Sequence, residues 1–210
     1  RRKDVIVARS ILVYGDSLTE GGALPAEERD QLWMHLVELE SNGGLQLINE
    51  GKGGRPTDSL KEFEDALQRQ AVPSSLVIFL GTNDSRDVSG QCVPKAVANL
   101  RSLILKARQV YGSELPILLI GPPNINKNAL GPTRPIADQR ETNLRDLGAA
   151  YEKLAKEMGC SFAKLFGAIP DSSLLKDGVH PDAKGNAAMA RRLFPAIDRL
   201  GKIQWKAGTR

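Results

Sequence analysis

The chain has 210 residues and a mass of 22.8 kDa, which is the size of one ordinary domain. Hydrophobic residues make up 41% of it and charged residues 26%, which excludes extended disorder and collagen-like or coiled-coil architectures. No run approaches the roughly 18 apolar residues that a membrane-spanning helix needs. We therefore expect one domain over residues 1–210, with its core over about residues 10–200, and no membrane span.

The net charge is +4, from 29 Lys and Arg against 25 Asp and Glu, and the basic residues are scattered. Small basic clusters at residues 1–3 and 191–192 are typical of solvated tails and helix faces, so nucleic-acid binding is not predicted. Cys92 and Cys160 lie far apart without CxxC spacing, so neither a zinc motif nor a disulfide scaffold is predicted. The compartment stays open between the cytoplasm and export with removal of a signal segment.

Short apolar runs rich in β-branched residues alternate with stretches of helical periodicity along the chain. The runs predict strands at residues 10–14, 45–49, 76–80, 117–120 and 161–166. The spacing of three or four predicts that the helices bury Leu32, Leu36 and Leu39; Leu60, Phe63 and Leu67; Val93, Val97, Leu100, Ile104 and Ala107; Leu144, Leu147, Tyr151, Leu154 and Met158; and Ala183, Ala187, Ala190, Phe194 and Ile197.

This alternation predicts an α/β fold in which helices cover both faces of a parallel sheet. We expect a three-layer α/β/α sandwich with a five-stranded parallel sheet in the flavodoxin-like order 2-1-3-4-5. Sites in such folds form beyond the carboxyl ends of the strands. The only long segment without periodicity, residues 121–138, contains four prolines and is predicted to face the substrate; its alternative is an ordinary rigid surface connection.

A serine follows the first predicted strand, in the run Gly15-Asp16-Ser17-Leu18. A serine hydroxyl is a weak nucleophile, so it needs a neighbouring base that a third group orients. The chain has two histidines. His35 falls within a helical pattern, which favours a place on the helix surface or at the edge of the core.

His180 instead lies in a polar turn that leads into a helix whose first position is predicted to be Pro181. Asp177 precedes it by three residues, which allows a tight turn to bring the carboxylate to Nδ1 of the ring. Asp182 is a competing carboxylate, but its place at the helix start already explains it as a cap. We therefore favour Asp177 as the partner of His180, the alternative being that the turn is only structural.

Two other predicted strand ends carry glycines and an asparagine, at residues 49–57 and 81–84. Ester hydrolysis creates an oxyanion that preorganised N–H groups stabilise, and glycine allows a backbone N–H to come close. Gly54, Asn83 and the Ser17 amide are the candidate donors. The alternative interpretation is that these residues serve only to form turns in the chain.

Taken together, these motifs resemble those of the SGNH, or GDSL, hydrolase family. The resemblance covers residues 10 to about 200 and is carried by four blocks: Gly15-Asp16-Ser17-Leu18, Gly53-Gly54, Gly81-Thr82-Asn83-Asp84 and Asp177-Gly178-Val179-His180. Thr19 stands where the G-x-S-x-G elbow of the α/β-hydrolases has its second glycine, which argues against that fold.

The resemblance implies the SGNH-hydrolase form of the sandwich and a catalytic triad of Ser17, Asp177 and His180. It also implies an oxyanion hole made by Ser17, Gly54 and Asn83, with Gly51 and Gly53 open as alternatives to Gly54. The implied activity is that of a serine esterase that forms an acyl-enzyme, without a cofactor and without a metal. The motifs are similar to those of the arylesterase and acyltransferase branch, which implies short-acyl esters as substrates and acyl transfer as a further reaction.

Carbohydrate O-deacetylases, lysophospholipases and thioesterases share the same blocks and stay open as alternatives. A non-catalytic module that binds carbohydrate or a partner chain is the alternative from another class. A phosphate site at residues 51–54 is disfavoured, because the spacing is neither G-x-G-x-x-G nor that of a P-loop. Trp33 and Phe79 are expected to pack in the core rather than to line the site. No oligomeric state is predicted.

Overall fold

The protein is described here from a computed structural model, in which residues 7–131 and 133–202 are described. The basic cluster at residues 1–3 and Pro132 of the long loop lie outside the described residues. Five parallel strands form one sheet in the order β2-β1-β3-β4-β5, which confirms the predicted topology. The strands are β1, Arg9–Gly15; β2, Leu45–Gly51; β3, Ser75–Phe79; β4, Ile117–Ile120; and β5, Ser161–Ala163.

Within residues 7–131 and 133–202, six α-helices connect and flank the strands. They are α1, Ser17–Glu20; α2, Trp33–Glu40; α3, Leu60–Arg69; α4, Cys92–Tyr111; α5, Ala137–Met158; and α6, Ala183–Arg199. Short 3-10 turns lie at Ala26–Gln31, Asp84–Arg86, Arg134–Ile136 and Asp171–Ser173. Every crossover returns the chain to a parallel strand, so the carboxyl ends of all five strands meet at one edge of the sheet.

Two hydrophobic layers fill the spaces on either side of the sheet, because successive side chains of a strand point to opposite faces. Ile11 and Val13 of β1 pack with α2 and α6 on one face. Leu12 and Tyr14 pack with α3, α4 and α5 on the other face. Trp33 and Phe79 lie in the first layer, 0% and 1% exposed, with ring centroids 6.0 Å apart, so their predicted place in the core is confirmed.

The buried face of α2 differs from the prediction. The helix begins at Trp33 and buries Trp33, Met34 and Val37. Leu39, which was expected to share a buried face with Leu32 and Leu36, is 74% exposed. The reason is that Leu32 precedes the helix with an extended backbone (ψ of 136°), so the helical phase starts one residue later than the leucine spacing implies.

Two further details of the prediction are corrected. The last helix begins at Ala183 rather than at Pro181, because the side chain of Asp182 caps it and accepts a hydrogen bond of 2.8 Å from the Gly185 amide. The last strand ends at Ala163 instead of reaching residue 166. Within the residues that the structure describes, no helix is both long and apolar enough to cross a membrane.

The α2 assignment predicts unequal effects of two substitutions. Val37→Ala removes two methyl groups from a fully buried side chain and is expected to lower the free energy of unfolding by about 1.5–3 kcal/mol. Leu39→Ala, on the exposed face of the same helix, is expected to change it by less than about 0.5 kcal/mol. Urea unfolding of the two variants measures both, and a larger loss for Leu39→Ala would show that the helical phase is wrong.

Candidate active site

Ser17 and His180 come together from opposite ends of the chain. Ser17 is the first residue of α1, directly after β1, and His180 lies in the turn that precedes α6. The Ser17 Oγ is 2.9 Å from Nε2 of His180. The other ring nitrogen, Nδ1, contacts Oδ2 of Asp177. The three predicted triad residues are therefore arranged in the order hydroxyl, imidazole, carboxylate.

The Asp177 carboxylate is held in place by its own turn. Its Oδ1 accepts hydrogen bonds from the backbone N–H groups of Val179, at 2.9 Å, and His180, at 3.0 Å. Partial burial raises the pKa of this carboxyl, but the hydrogen bonds from His180 and Val179 outweigh burial and place the pKa below its usual value. An ionised Asp177 accepts a hydrogen bond from Nδ1–H, which leaves the lone pair of Nε2 facing Ser17.

The competing candidates for these roles lie elsewhere. Asp182 uses its side chain to cap α6. His35 is exposed on α2, as its helical pattern predicted, and does not join the group around Ser17.

The three candidate glycines differ in what their N–H groups already contact. The Gly51 N–H donates to Oδ1 of Asn49 at 2.8 Å, and the Gly53 N–H donates to the Glu20 carboxylate. Among the described residues, the Gly54 N–H has no acceptor. Gly54 is also exposed and has a φ of +76°, a conformation that favours glycine. Of the three, Gly54 is thus the one whose amide is available to a ligand.

Asn83 follows the end of β3 and contacts residues next to both Gly54 and Ser17. Its Nδ2 donates to the Arg55 carbonyl oxygen at 3.2 Å and to Oδ2 of Asp16 at 3.4 Å. Asp16 immediately precedes Ser17 and its other oxygen, Oδ1, accepts from the Leu18 amide at 2.9 Å. The amide of Asn83 is therefore tied both to the turn that carries Gly54 and to the turn that carries Ser17.

Asp16 is a buried carboxyl, only 1% exposed. Burial raises its pKa to about 7, against the opposing effects of the Leu18 amide and of His180. In the sequence, Asp16 is part of the Gly15-Asp16-Ser17-Leu18 motif, without a predicted contact. Its position directly after a strand whose last five residues are buried is the signal that pointed to burial.

Arg55 is a second buried charge that the sequence reasoning did not single out. It is 6% exposed, and its guanidinium lies over the Tyr14 ring, 4.1 Å from the ring centroid. Its Nη1 donates to the Gly15 carbonyl oxygen at 2.9 Å and also to that of Glu50. Arg55 thereby joins the ends of β1 and β2 directly beneath the turn that contains Gly54.

The loop after β4 packs against the turn of the triad. The Asn126 amide donates to the Gly178 carbonyl oxygen at 2.8 Å, and Ile125 and Leu130 form a small apolar cluster with Val179. Gly178 has a φ of +73°, and a Cβ there would lie 2.4 Å from the Asn126 carbonyl oxygen. The described part of this loop therefore supports the turn; that the segment also faces substrate stays a prediction.

Among residues 7–131 and 133–202, no group of three or more His, Cys, Asp or Glu side chains is arranged to hold a metal ion. The two cysteines are both free thiols.

The chain is similar to known proteins over most of its length. Residues 13–188 match the GDSL-like lipase/acylhydrolase family. The GDSL lipase Rv0518 of Mycobacterium tuberculosis is 27% identical over 195 residues, which cover 89% of this chain and 80% of that protein. The isoamyl acetate-hydrolyzing esterase 1 homolog of Homo sapiens is 26% identical over 206 residues, which cover 90% and 81%.

Solved structures share the fold. The aryl esterase of M. smegmatis superposes with a TM-score of 0.72 at 21% identity, over 92% of this chain and 100% of that one. A carbohydrate acetylesterase family member from Sinorhizobium meliloti gives a TM-score of 0.72 at 23% identity, over 90% and 97%. This chain belongs to the GDSL-like lipase/acylhydrolase family. It is a carboxylic ester hydrolase with the SGNH-hydrolase fold.

The tight fit at Gly178 predicts a site-specific effect of Gly178→Ala. The added Cβ collides with the Asn126 carbonyl and occupies an unfavourable φ, so the free energy of unfolding is expected to fall by about 1–3 kcal/mol. Displacement of the triad turn is expected to lower kcat about tenfold or more. Gly43→Ala is the matched control, because Gly43 has a φ of +85° but open space around it. Equal kcat values for the two variants would contradict the role of this contact.

The buried Asp16 predicts a pH-dependent stability. Its pKa is about 7 in the folded protein against 3.8 for a free side chain, so the unfolded state loses this proton first. The free energy of unfolding of the wild type is therefore expected to fall, relative to that of Asp16→Asn, as the pH rises from about 4 to 7. Urea unfolding across this range measures the difference, with the exposed Asp30→Asn as control. Parallel curves for wild type and Asp16→Asn would rule out a raised pKa.

Proposed function

We propose that the protein is a serine esterase that hydrolyses short-acyl carboxylic esters through an acyl-enzyme. Ser17 is the nucleophile, His180 the general base and Asp177 the group that orients the imidazole. The observation that carries this proposal is the 2.9 Å contact between Ser17 Oγ and His180 Nε2 on a ring whose Nδ1 contacts Asp177. That arrangement allows the hydroxyl proton to leave as the oxygen attacks.

In the first half of the reaction, the Ser17 Oγ attacks the ester carbonyl carbon and its proton passes to Nε2 of His180. Collapse of the tetrahedral intermediate breaks the bond to the alcohol oxygen, which takes the proton from Nε2. In the second half, His180 removes a proton from water as the water oxygen attacks the acyl carbon; the bond to Ser17 Oγ then breaks, Oγ takes the proton back from Nε2, and the acid leaves. An alcohol that takes the place of water receives the acyl group, which is the transfer reaction of the same intermediate.

The negative oxygen of each tetrahedral intermediate is bound by N–H donors from three strand ends. We assign this role to the Gly54 N–H, the Ser17 N–H and the Nδ2 of Asn83. The absence of an acceptor for the Gly54 N–H among the described residues supports its assignment. Ser17 begins a helix, so its N–H has no acceptor within that helix. The Gly54 and Ser17 N–H groups need little reorganisation when charge develops, whereas Nδ2 of Asn83 gives up its 3.4 Å contact with Asp16 to bind the oxyanion.

The preference for short acyl groups is supported by the surroundings of the triad. Ser17 and His180 are half-buried, while Asp177 and Gly54 are exposed, so the site is open to solvent. Two surface cavities of about 780 and 660 Å³ are lined by residues of α2 and its neighbours rather than by the triad. One of the relatives is named for the hydrolysis of isoamyl acetate, an ester of a two-carbon acid.

Hydrolysis of p-nitrophenyl acetate, butyrate, octanoate and palmitate by the wild type and Ser17→Ala tests the proposal. We expect the highest kcat/KM for acetate or butyrate and a loss of at least about 10⁴-fold in kcat for Ser17→Ala. Ser102→Ala, an exposed serine on α4, is the matched control and is expected to keep full activity.

Each outcome of this assay decides between alternatives. A preference for palmitate would contradict short-acyl specificity and favour a lysophospholipase or a long-chain thioesterase. Activity on acetylated sugars far above that on p-nitrophenyl acetate would identify a carbohydrate O-deacetylase. Equal turnover by wild type and Ser17→Ala would overturn the assignment of Ser17, and absence of turnover on every ester would favour a non-catalytic binding module.

A further inference from the structure

A third buried charge lies beside the site, on α5. Arg140 is 1% exposed, and no carboxylate among the described residues lies within salt-bridge distance of it. Burial lowers its pKa to about 10, with a further lowering by Arg86 and an opposing effect of Asp177, so the guanidinium stays charged near neutral pH. A buried, charged side chain without an acidic partner is costly unless its N–H groups donate to other acceptors.

Arg140 donates to the short segment that follows β3, residues 82–87. Its Nε donates to Ser85 Oγ at 2.8 Å and its Nη2 donates to the Thr82 carbonyl oxygen at 3.2 Å. The Ser85 hydroxyl itself donates to the same Thr82 carbonyl at 2.5 Å. These hydrogen bonds hold the chain at Thr82 and Ser85, on either side of Asn83.

Asn143 lies on the same face of α5, three residues after Arg140. Its Nδ2 donates to the carbonyl oxygens of Ser85, at 3.0 Å, and Asp87, at 2.9 Å. The Gln139 side chain donates to Oδ1 of Asn143 at 3.1 Å, which fixes the orientation of the amide. Two side chains of one helix thus bind three carbonyl oxygens of the segment 82–87.

The segment is irregular, and contacts from the strand side hold it together with those from α5. It contains a single 3-10 turn, Asp84–Arg86, with no side-chain cap. On the side facing the strands, Nδ2 of Asn83 donates to the Arg55 carbonyl oxygen at 3.2 Å and to Oδ2 of Asp16 at 3.4 Å, the second of which is at the long end of hydrogen-bond distances. The Asp84 carboxylate accepts from the Thr57 hydroxyl at 2.5 Å, which holds the segment from the side opposite α5.

We propose that Arg140 and Asn143 are positioning residues for the reaction: they fix the segment 82–87 so that Nδ2 of Asn83 is aimed at the developing oxyanion. The proposal rests on the role of Asn83 given under Proposed function. Neither side chain touches the reacting atoms; both act through Asn83. A displacement of about 1 Å in such a donor is enough to lower kcat by up to 10²-fold.

A double-mutant cycle with Asn83 tests this mechanism. Arg140→Met is expected to lower kcat for p-nitrophenyl acetate about 10- to 100-fold with less than a threefold change in KM. Asn83→Ala alone is expected to lower kcat about 10²- to 10³-fold. If Arg140 acts through Asn83, Arg140→Met in the Asn83→Ala background costs less than about threefold, because the donor it positions is already gone.

Two further variants keep the test decisive if Arg140→Met does not fold. Asn143→Ala removes two of the carbonyl contacts and is expected to show the same dependence on Asn83. Arg140→Lys retains a cationic donor and is expected to recover part of the lost kcat. Arg108→Met is the matched control, because Arg108 donates to the Met158 carbonyl at 2.5 Å at the far end of α5. It is expected to change stability but not kcat.

The outcomes separate this proposal from the proposed function. Losses that multiply in the double variants of Asn83 with Arg140 or Asn143 would overturn the positioning role while leaving the esterase assignment intact. Unchanged kcat in folded Arg140→Met would do the same. Full activity of Asn83→Ala, or of Ser17→Ala, would instead overturn the assignment of the site itself.

Discussion

The hydrogen bond between Ser17 and His180 joins residues 163 positions apart, so it forms only if both ends of the chain are fixed against the same edge of the sheet. Trp33 provides that link from within the core. Its indole Nε1 donates to the Leu18 carbonyl at 3.0 Å, and its backbone N–H donates to the side chain of Asn186 in α6, also at 3.0 Å. One buried residue thus connects the turn that carries Ser17 to the helix that follows His180.

Charged groups surround the site at a depth where a protein interior disfavours charge. Asp16, Arg55 and Arg140 are each at least nine-tenths buried, and each bonds to backbone groups of the segments that carry Ser17, Gly54 or Asn83. Apolar residues at these positions would fill the space, but they would leave the carbonyl oxygens bound by Arg55 and Arg140 without donors and the Leu18 N–H bound by Asp16 without an acceptor. We infer that these three ionisable side chains are retained because their hydrogen bonds fix the positions of the turns that carry Ser17, Gly54 and Asn83.

The sheet order and the residues that meet at its edge were predictable. A parallel sheet brings the glycine-rich and polar ends of its strands to one edge, and this does not depend on how the helices pack. The contacts of Arg55 and Arg140 were not assigned, because their partners include backbone carbonyl oxygens 40 and 58 residues away in sequence. Arg140 did carry a signal: it falls on the buried stripe of α5 with Leu144 and Leu147, where a polar residue is unexpected. The buried face of α2 was misplaced at Leu39, because in a helix of eight residues one residue of phase decides which side chains face the core.

If the loop after β4 faces substrate, as the sequence predicts, it couples substrate access to the geometry of the turn that holds Asp177 and His180. Ile125 and Leu130 are buried with Val179, so they are not available to a ligand, and the Asn126 amide is bonded to Gly178. Only the more exposed positions between them, such as Asn128, are left to contact a substrate. The buried residues and the exposed positions between them belong to the same segment, residues 125–130. A substitution that adapts this segment to a different ester is therefore expected to disturb the turn that holds Asp177 and His180. Specificity on this side of the site is therefore constrained by the stability of the triad turn.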